Sequence, residues 1–341
     1  MSTKGRAGKR LTRGKKILLT VLAVVLAAVV ASALLINAYL SKINYVPEDT
    51  WAHTDASSEP GDLDIAGRKH LLDSSAIRFD KDVANILLIG TDARQGDSNP
   101  RSDSMILFSI NQRTKEIVAT SLLRDIYLEI PGYGGNRLNA AYAFGGPFLL
   151  MDTVEKNFGV KVDQYISVDF AGFVRVIDAA GGVDIDVSEE ERGVANNYIR
   201  AVNKELGSAE DDSLISSAGK QHLNGRQALG YARVRYVGNG DFDRTDRQRE
   251  VLEQVLQKAT HSDLGQLSAL LDAALPQVTT NLSKGQVLSL ILRIPTYRKY
   301  TWDPYAVPMD GAFTYTTIRG MSVLDIDFDK CTAQMQKRIY G

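Results

Sequence analysis

At 341 residues, with 44% hydrophobic and 24% charged side chains, the chain has room for one large domain or two small ones and is too apolar for disorder. Its one cysteine, Cys331, excludes an internal disulfide framework and a cysteine-based zinc site, and its four histidines (His53, His70, His222, His261) show no ligand spacing. The formal net charge of −1 hides an asymmetry: residues 1–16 hold seven basic side chains and no acid, leaving 33 bases against 41 acids, about −8, on the remainder. Neither a Walker A loop nor a G-x-S-x-G elbow is present, which removes the commonest nucleotide and serine-hydrolase readings.

The basic leader (Lys4, Arg6, Lys9, Arg10, Arg13, Lys15, Lys16) runs into 24 uncharged residues, 17–40, whose polar groups are confined to Thr20, Ser32, Asn37 and the Tyr39 hydroxyl. As a helix this stretch spans the ~30 Å hydrocarbon layer of a bilayer. The positive-inside rule keeps the leader in the cytoplasm and exports everything after Leu40. A cleaved signal peptide is the rival, since Ala31-Ser32-Ala33 resembles a cleavage site. The apolar run continues through Leu34, Leu35 and Ile36, which favours a retained single-pass anchor in the cell membrane.

Residues 41–82 are acidic and turn-rich and read as a stalk or lead-in, with the part from Ile65 to Phe79 able to dock on the domain that follows. That domain, residues 83–341, opens with predicted strands at 84–90, 104–111 and 116–123, the last two joined by a turn at Asn111-Gln112-Arg113-Thr114. If these strands form an antiparallel meander, Asp92, Asp103 and Arg124 all fall at one edge of the sheet. Helices are predicted at 138–144 and 147–158, separated by glycines, then a strand at 164–168, a helix at 170–180 and a strand at 183–187. Residues 188–218 read as a polar excursion with a short helix. Asn224 caps a helix running to Gly230, after which Arg233 and Arg235 are expected in extended chain, both on one face. Asp243 is expected to N-cap a helix to about Thr260, with helices at 264–275 and 283–291 after it. Strands at 300–307 and 321–328 and a last helix from Asp329 close the domain.

The densest chemical signal lies between Arg233 and Arg249, where 17 residues hold five arginines and no lysine. Arginine presents a planar fork of donors that never deprotonates, suited to bidentate capture of phosphate or pyrophosphate. Concentrated in an otherwise acidic domain, it indicates one anion pocket and no nucleic-acid partner. Arg244, Arg247 and Gln248 share a helix face, whereas Arg249 and Glu250 are expected at the surface. Asp241, in the loop after Gly238-Asn239-Gly240, could order that loop or serve the site. Asp92 and Asp103 could each cap a turn or together hold a hard cation through oxygen ligands. With the arginines, metal-assisted chemistry on a phosphoanhydride is the leading reading.

These residues carry a resemblance. Ile89-Gly90-Thr91-Asp92-Ala93-Arg94, Arg101-Ser102-Asp103-Ser104-Met105, Leu123-Arg124-Asp125 and Leu138-Asn139-Ala140-Ala141-Tyr142 with Gly145-Gly146 resemble, in order, motifs of the LytR-CpsA-Psr family. Gly181-Gly182-Val183, Leu223-Asn224-Gly225-Arg226-Gln227-Ala228-Leu229, Arg233-Val234-Arg235, Gly240-Asp241-Phe242-Asp243-Arg244 and Arg247-Gln248 continue it, so the likeness covers about residues 83–256. The resemblance implies an α/β/α sandwich on a mixed central sheet, behind a single transmembrane helix, with an apolar cavity for a lipid tail. It implies a Mg²⁺-dependent (or Mn²⁺-dependent) phosphotransferase. The donor would be a glycopolymer on undecaprenyl or decaprenyl pyrophosphate, and the acceptor a muramic-acid 6-hydroxyl of peptidoglycan. By the same resemblance Asp92 and Asp103 are metal-associated. Arg124, Arg233 and Arg235 bind pyrophosphate and act in catalysis with Asp241, and Arg94, Arg101, Arg244, Arg247 and Gln248 complete the pyrophosphate set. The chain departs from the family pattern at Asp243, where glycine is usual, and at Leu123, where proline is frequent; the extra C-terminal domain of some relatives is not expected. Two rivals stay open: a non-catalytic envelope regulator, and a pyrophosphohydrolase in which water replaces the sugar hydroxyl.

Overall fold

The computed structural model describes residues 37–47, 71–92, 100–205 and 207–341. The expected leader and residues 17–36 of the expected anchor lie outside these, as does most of the lead-in; among the described residues no helix is long and apolar enough to cross a membrane. The described residues fall into two units, 37–42 and 43–341. Of the first, residues 37–40 are helical and the Lys42 ammonium lies 4.8 Å from the centre of the Tyr39 ring.

The second unit is built on a seven-stranded mixed sheet. Its centre is the expected antiparallel meander: β2 (Val83–Thr91), β3 (Ser102–Asn111) and β4 (Glu116–Leu122). β7 (Gln164–Asp169) runs parallel to β2 on one flank, and β11 (Thr301–Val307) parallel to β4 on the other. β10 (Val278–Thr280) pairs antiparallel with β7, and β1 (Asn44–Tyr45), from the expected lead-in, adds a parallel edge strand beside β10. Leu72 and Arg78 also bond to the backbone of Lys156, Gly159 and Lys161, so this part of the lead-in docks on the domain.

Alternation along the meander divides its side chains between two layers. Leu87, Met105, Leu107, Val118 and Leu122 enter the main core with α1 (Leu138–Phe158) and α8 (Phe328–Tyr340). Within α1 the glycines break the helix as expected: Gly145 and Gly146 (φ 64°) leave helical geometry, and Pro147 restarts it. The opposite face, including Leu88, Ile106 and Ile117, meets α2 (Phe170–Ala179), α5 (Asp241–His261) and α7 (Lys284–Tyr297). This is an α/β/α sandwich on a mixed sheet.

A satellite core stands beside the sheet, with its strand at 183–187 as expected and its helix longer than expected. Val183–Val187 does not join the sheet but pairs as β8 with β9 (Gly219–Leu223), and the excursion between them contains a 17-residue helix, α3 (Glu189–Glu205). Val183, Ile185, Ala195, Ile199 and Ile215 pack there against Ala228 and Tyr231 of α4 (Gly225–Ala232), whose Asn224–Gln227 capping box is fully formed. Met321–Ile326 likewise forms no part of the sheet. As β13 it makes a hairpin with β12 (Phe313–Ile318), a strand the sequence reading did not mark. Two further strands, β5 (Tyr127–Ile130) and β6 (Gly134–Arg137), form a small hairpin before α1, and α6 (Leu264–Ala274) precedes β10.

Gly225 lets α4 touch the backbone of α2. A β-carbon there would sit 2.2 Å from the carbonyl oxygen of Val174, and the Gly225 N–H also donates to Asp178 Oδ1 at 2.7 Å. Gly225→Ala should therefore destabilise the domain by about 3 kcal/mol through overpacking alone. An unfolding midpoint in urea equal to that of wild type would contradict this packing.

Candidate active site

The strand ends gather the expected residues. The pairing of Thr91 with Ser102 and with Asp169, and of Ile106 with Ser121, sets Asp92, Asp103 and Arg124 at one edge of the sheet. There Arg124 Nη1 donates to Asp103 Oδ1 at 2.6 Å. The Asp92 carboxylate accepts from the Arg101 N–H at 3.2 Å and so ties together the ends of the intervening loop. Arg101 itself is exposed, and Arg94 lies outside the described residues.

Behind this edge, between the sheet and α2, α4 and α5, is a cavity of about 470 Å³. Leu88, Ile106, Val168, Phe173, Val251 and Val255 make its walls apolar, while Asp103, Arg124, Arg233, Arg235, Arg244 and Gln248 line it with polar groups. The Gln248 amide oxygen accepts from Ser104 Oγ at 2.9 Å.

Arg233 does not lie in extended chain. It is the C-cap of α4 in right-handed helical geometry (φ −98°, ψ −7°), and its guanidinium stacks 4.5 Å from the centre of the Phe170 ring and 4.9 Å from that of Tyr198. Both Arg233 and Arg235 nevertheless line the cavity. The helix carrying the rest of the cluster starts three residues earlier than expected, at Asp241, with Gly240 (φ 67°) as N-cap. Asp243 is not the cap; from inside the first turn its carboxylate reaches back to the Asn239 N–H at 2.9 Å. A side chain at Gly238 would collide with that carboxylate, its β-carbon falling 1.9 Å from Asp243 Oδ2.

Asp241, thus placed at the helix start, is the hub of the arginines. It lies 2.6 Å from Arg235 Nε, 3.4 Å from Arg244 Nη1 and 3.6 Å from Arg124 Nε. Asp125, to which the sequence reading gave no role, lies 3.7 Å from both Arg124 Nε and Arg235 Nη2, and 3.4 Å from Arg137 Nε. It follows Arg124 directly in a quoted motif, and that adjacency was the signal available. These are charge contacts more than aligned hydrogen bonds: the buried Nε atoms of Arg124, Arg137 and Arg244 find no hydrogen-bond partner among the described residues. Buried donors left in that condition cost free energy that an anion would recover. Five guanidinium groups (Arg124, Arg137, Arg233, Arg235, Arg244) against three carboxylates (Asp103, Asp125, Asp241) leave a formal charge of +2.

Two arginines fall outside this cluster. Arg247 is buried, donating to Glu191 Oε1 at 2.7 Å and to the Val234 carbonyl at 3.1 Å, so it braces the loop after α4 against α3. Arg249 is not at the surface but buried, paired with Asp246 on its own helix, and burial lowers its pKa. Among the described residues no group of three His, Cys, Asp or Glu side chains is placed to hold a metal ion. A cation at Asp92 and Asp103 would need substrate oxygens and water to complete its shell, a donor set that suits Mg²⁺.

Burial raises the pKa of Asp125, with Asp241 adding to the rise and Arg124 and Arg137 opposing it. Relative to the unfolded chain, folding therefore shifts this carboxyl's proton equilibrium toward the neutral form. This group's contribution to stability is fully present below its unfolded pKa of about 3.9 and is lost as pH rises through its folded value. Asp125→Asn removes that slope, so the wild-type minus variant stability curve should decline with rising pH from about pH 4. Urea midpoints measured across pH that leave a flat difference curve would contradict the assignment.

A profile of the LytR_cpsA_psr family matches residues 52–338. The chain is 38% identical over 209 residues, 60% of its length and 62% of the relative's, to the polyisoprenyl-teichoic acid–peptidoglycan teichoic acid transferase TagU of Bacillus cereus. It is 37% identical over 191 residues, 54% of each chain, to regulatory protein MsrR of Staphylococcus aureus. The aligned stretch spans less than two thirds of either relative. The solved structure of YwtF (TagT) with bound octaprenyl pyrophosphate lipid shares the fold, with a TM-score of 0.57 at 23% identity over 77% of this chain and 93% of that one. With the profile covering most of its length, the chain belongs to the LytR_cpsA_psr family.

Proposed function

We propose that the chain transfers a glycopolymer phosphate from a polyprenyl-pyrophosphate carrier to a peptidoglycan muramic-acid hydroxyl, at the outer face of the cell membrane. The observation that carries this reading is an apolar cavity closed at its mouth by an arginine cluster, which fits an amphiphile with an anionic head. The formal +2 of the cluster complements a pyrophosphate substituted at both ends, which carries two negative charges. The transferase name of the TagU relative and the octaprenyl pyrophosphate bound by TagT support the same class of ligand. The basic leader followed by an uncharged 24-residue run supports a membrane anchor with the domain exported.

In this reading the prenyl tail occupies the cavity and the pyrophosphate meets Arg124, Arg233, Arg235 and Arg244. The acceptor hydroxyl attacks the phosphorus that bears the glycan, and the bridging P–O bond to the second phosphorus breaks. The electron pair leaves with polyprenyl phosphate, and the hydroxyl proton passes to a carboxylate at the rim. The product is a phosphodiester between glycan and acceptor. Guanidinium groups fixed beforehand by Asp241 and Asp125 stabilise charge on the leaving phosphate without reorganising during the step. Mg²⁺ or Mn²⁺, held by Asp92 and Asp103, would neutralise further charge on the pyrophosphate oxygens. Arg94 and Arg101 would join only through the loop between Asp92 and Asp103, and Gln248 orients the cavity wall.

Arg235→Ala should lower transfer about 100- to 1,000-fold, as loss of one preorganised donor does elsewhere. The assay is the full chain in detergent with a lipid-linked glycan and peptidoglycan, read as wall-bound polymer plus polyprenyl phosphate. Unchanged yield would sink the reading. Release of glycan phosphate without its attachment to the acceptor would assign the hydrolase alternative instead.

A further inference from the structure

The β12–β13 hairpin stands against the site through Asp125, Arg137 and Phe242, none of which lines the cavity. The Leu324 N–H donates to the Asp125 carbonyl at 2.9 Å, and Arg137 bridges the two, with Nη2 2.6 Å from the Ser322 carbonyl and Nε 3.4 Å from Asp125 Oδ1. Phe242, which follows Asp241, stacks on Phe313 with ring centres 5.0 Å apart, and Phe313 meets Tyr315 edge-on at 5.6 Å. An aromatic ladder thus runs from beside Asp241 out to the surface, ending in a tyrosine 67% exposed. Beyond it on the same face of the hairpin are Thr317 and Ser322, an exposed cross-strand pair. None of Phe242, Phe313 or Tyr315 lines the apolar cavity.

Resting on the transferase reading, we propose that this ladder is the platform for the acceptor glycan, a hexosamine ring of the strand stacking on Tyr315 with its hydroxyls toward Thr317 and Ser322. Two physical arguments choose this occupant. In phosphoryl transfer the attacking and leaving oxygens lie roughly in line. The leaving group is the lipid phosphate whose tail lies in the cavity, so the nucleophile arrives from outside the cavity, and the hairpin meets the site through residues outside its lining. Secondly, a flat aromatic face bordered by neutral hydroxyls matches a sugar, which presents C–H groups on its face and hydroxyls at its rim. A membrane-inserting surface would pair apolar wedges with several basic residues. Here Tyr315 is the one large exposed apolar side chain of the hairpin, and Arg319 at its turn the one basic residue.

The test measures binding of the full chain to soluble, peptide-free peptidoglycan glycan strands and, separately, to a polyprenyl pyrophosphate. Tyr315→Ala should weaken glycan binding about tenfold, the size expected for one lost ring contact, while Tyr315→Phe binds as wild type. Lipid pyrophosphate binding should be unchanged in both. Wild-type affinity for glycan strands in Tyr315→Ala, or no glycan binding by the wild-type chain, would overturn the proposal. Absence of lipid pyrophosphate binding by wild type would instead overturn the transferase reading. In nanodiscs, the added fluorescence of a Tyr315→Trp chain should respond to glycan strands. Quenching by brominated phosphatidylglycerol would show a membrane contact and overturn the platform.

Discussion

Arginines repel one another, and the site depends on how that repulsion is overcome. Arg124, Arg235 and Arg244 all lie within 3.6 Å of Asp241, and Asp125 joins Arg124 and Arg235 to Arg137. Without those carboxylates, partly buried guanidinium groups at such spacing would splay toward water. The two aspartates hold the forks in place yet leave them short of full neutralisation, which keeps the mouth attractive to an anion. Arg233 is held by other means, between the rings of Phe170 and Tyr198, so its charge stays available.

The fold exists around this arrangement in a definite sense. The antiparallel meander brings Asp92, Asp103 and Arg124 to the same sheet edge, and two helix junctions add to them: the end of α4 gives Arg233, and the start of α5 gives Asp241 and Arg244. One face of the sheet packs solidly against α1 and α8, while the other leaves room before α2, α4 and α5. That room is apolar, so field lines from the arginines concentrate at its mouth instead of being screened by water within. An apolar chamber and a charged rim are adjacent because the same ends of the same strands build them.

Much of this was legible in the sequence. Short apolar runs with turn residues between them gave the meander, and hence the meeting of Asp103 with Arg124, because strand order and side-chain period leave little freedom. The glycine pair at 145–146 marked the helix break, since only glycine tolerates that backbone. Less legible were features fixed by tertiary contact. Arg249 looked solvated because helical spacing gives directions but not what covers each face, and here the sandwich covers it. Asp243 looked like a cap because local chemistry permits it, but Gly240 turns the chain earlier and makes Asp241 the first helical residue. The strand at 321–326 was legible, but its partner β12 and the hairpin they form escaped notice because β12 alternates weakly and the hairpin owes its place to Asp125, Arg137 and Phe242. Asp125 itself was visible only as the neighbour of Arg124.

The central claim is that this cluster is built for a lipid-linked pyrophosphate. Native mass spectrometry of the full chain, extracted from membranes in mild detergent, tests it most directly. A copurified polyprenyl phosphate or pyrophosphate is expected, and it should be lost in Arg233→Ala while the protein stays folded. Lipid retained equally by that variant, or a wild-type chain carrying no prenyl phosphate and taking up none when it is added, would contradict it.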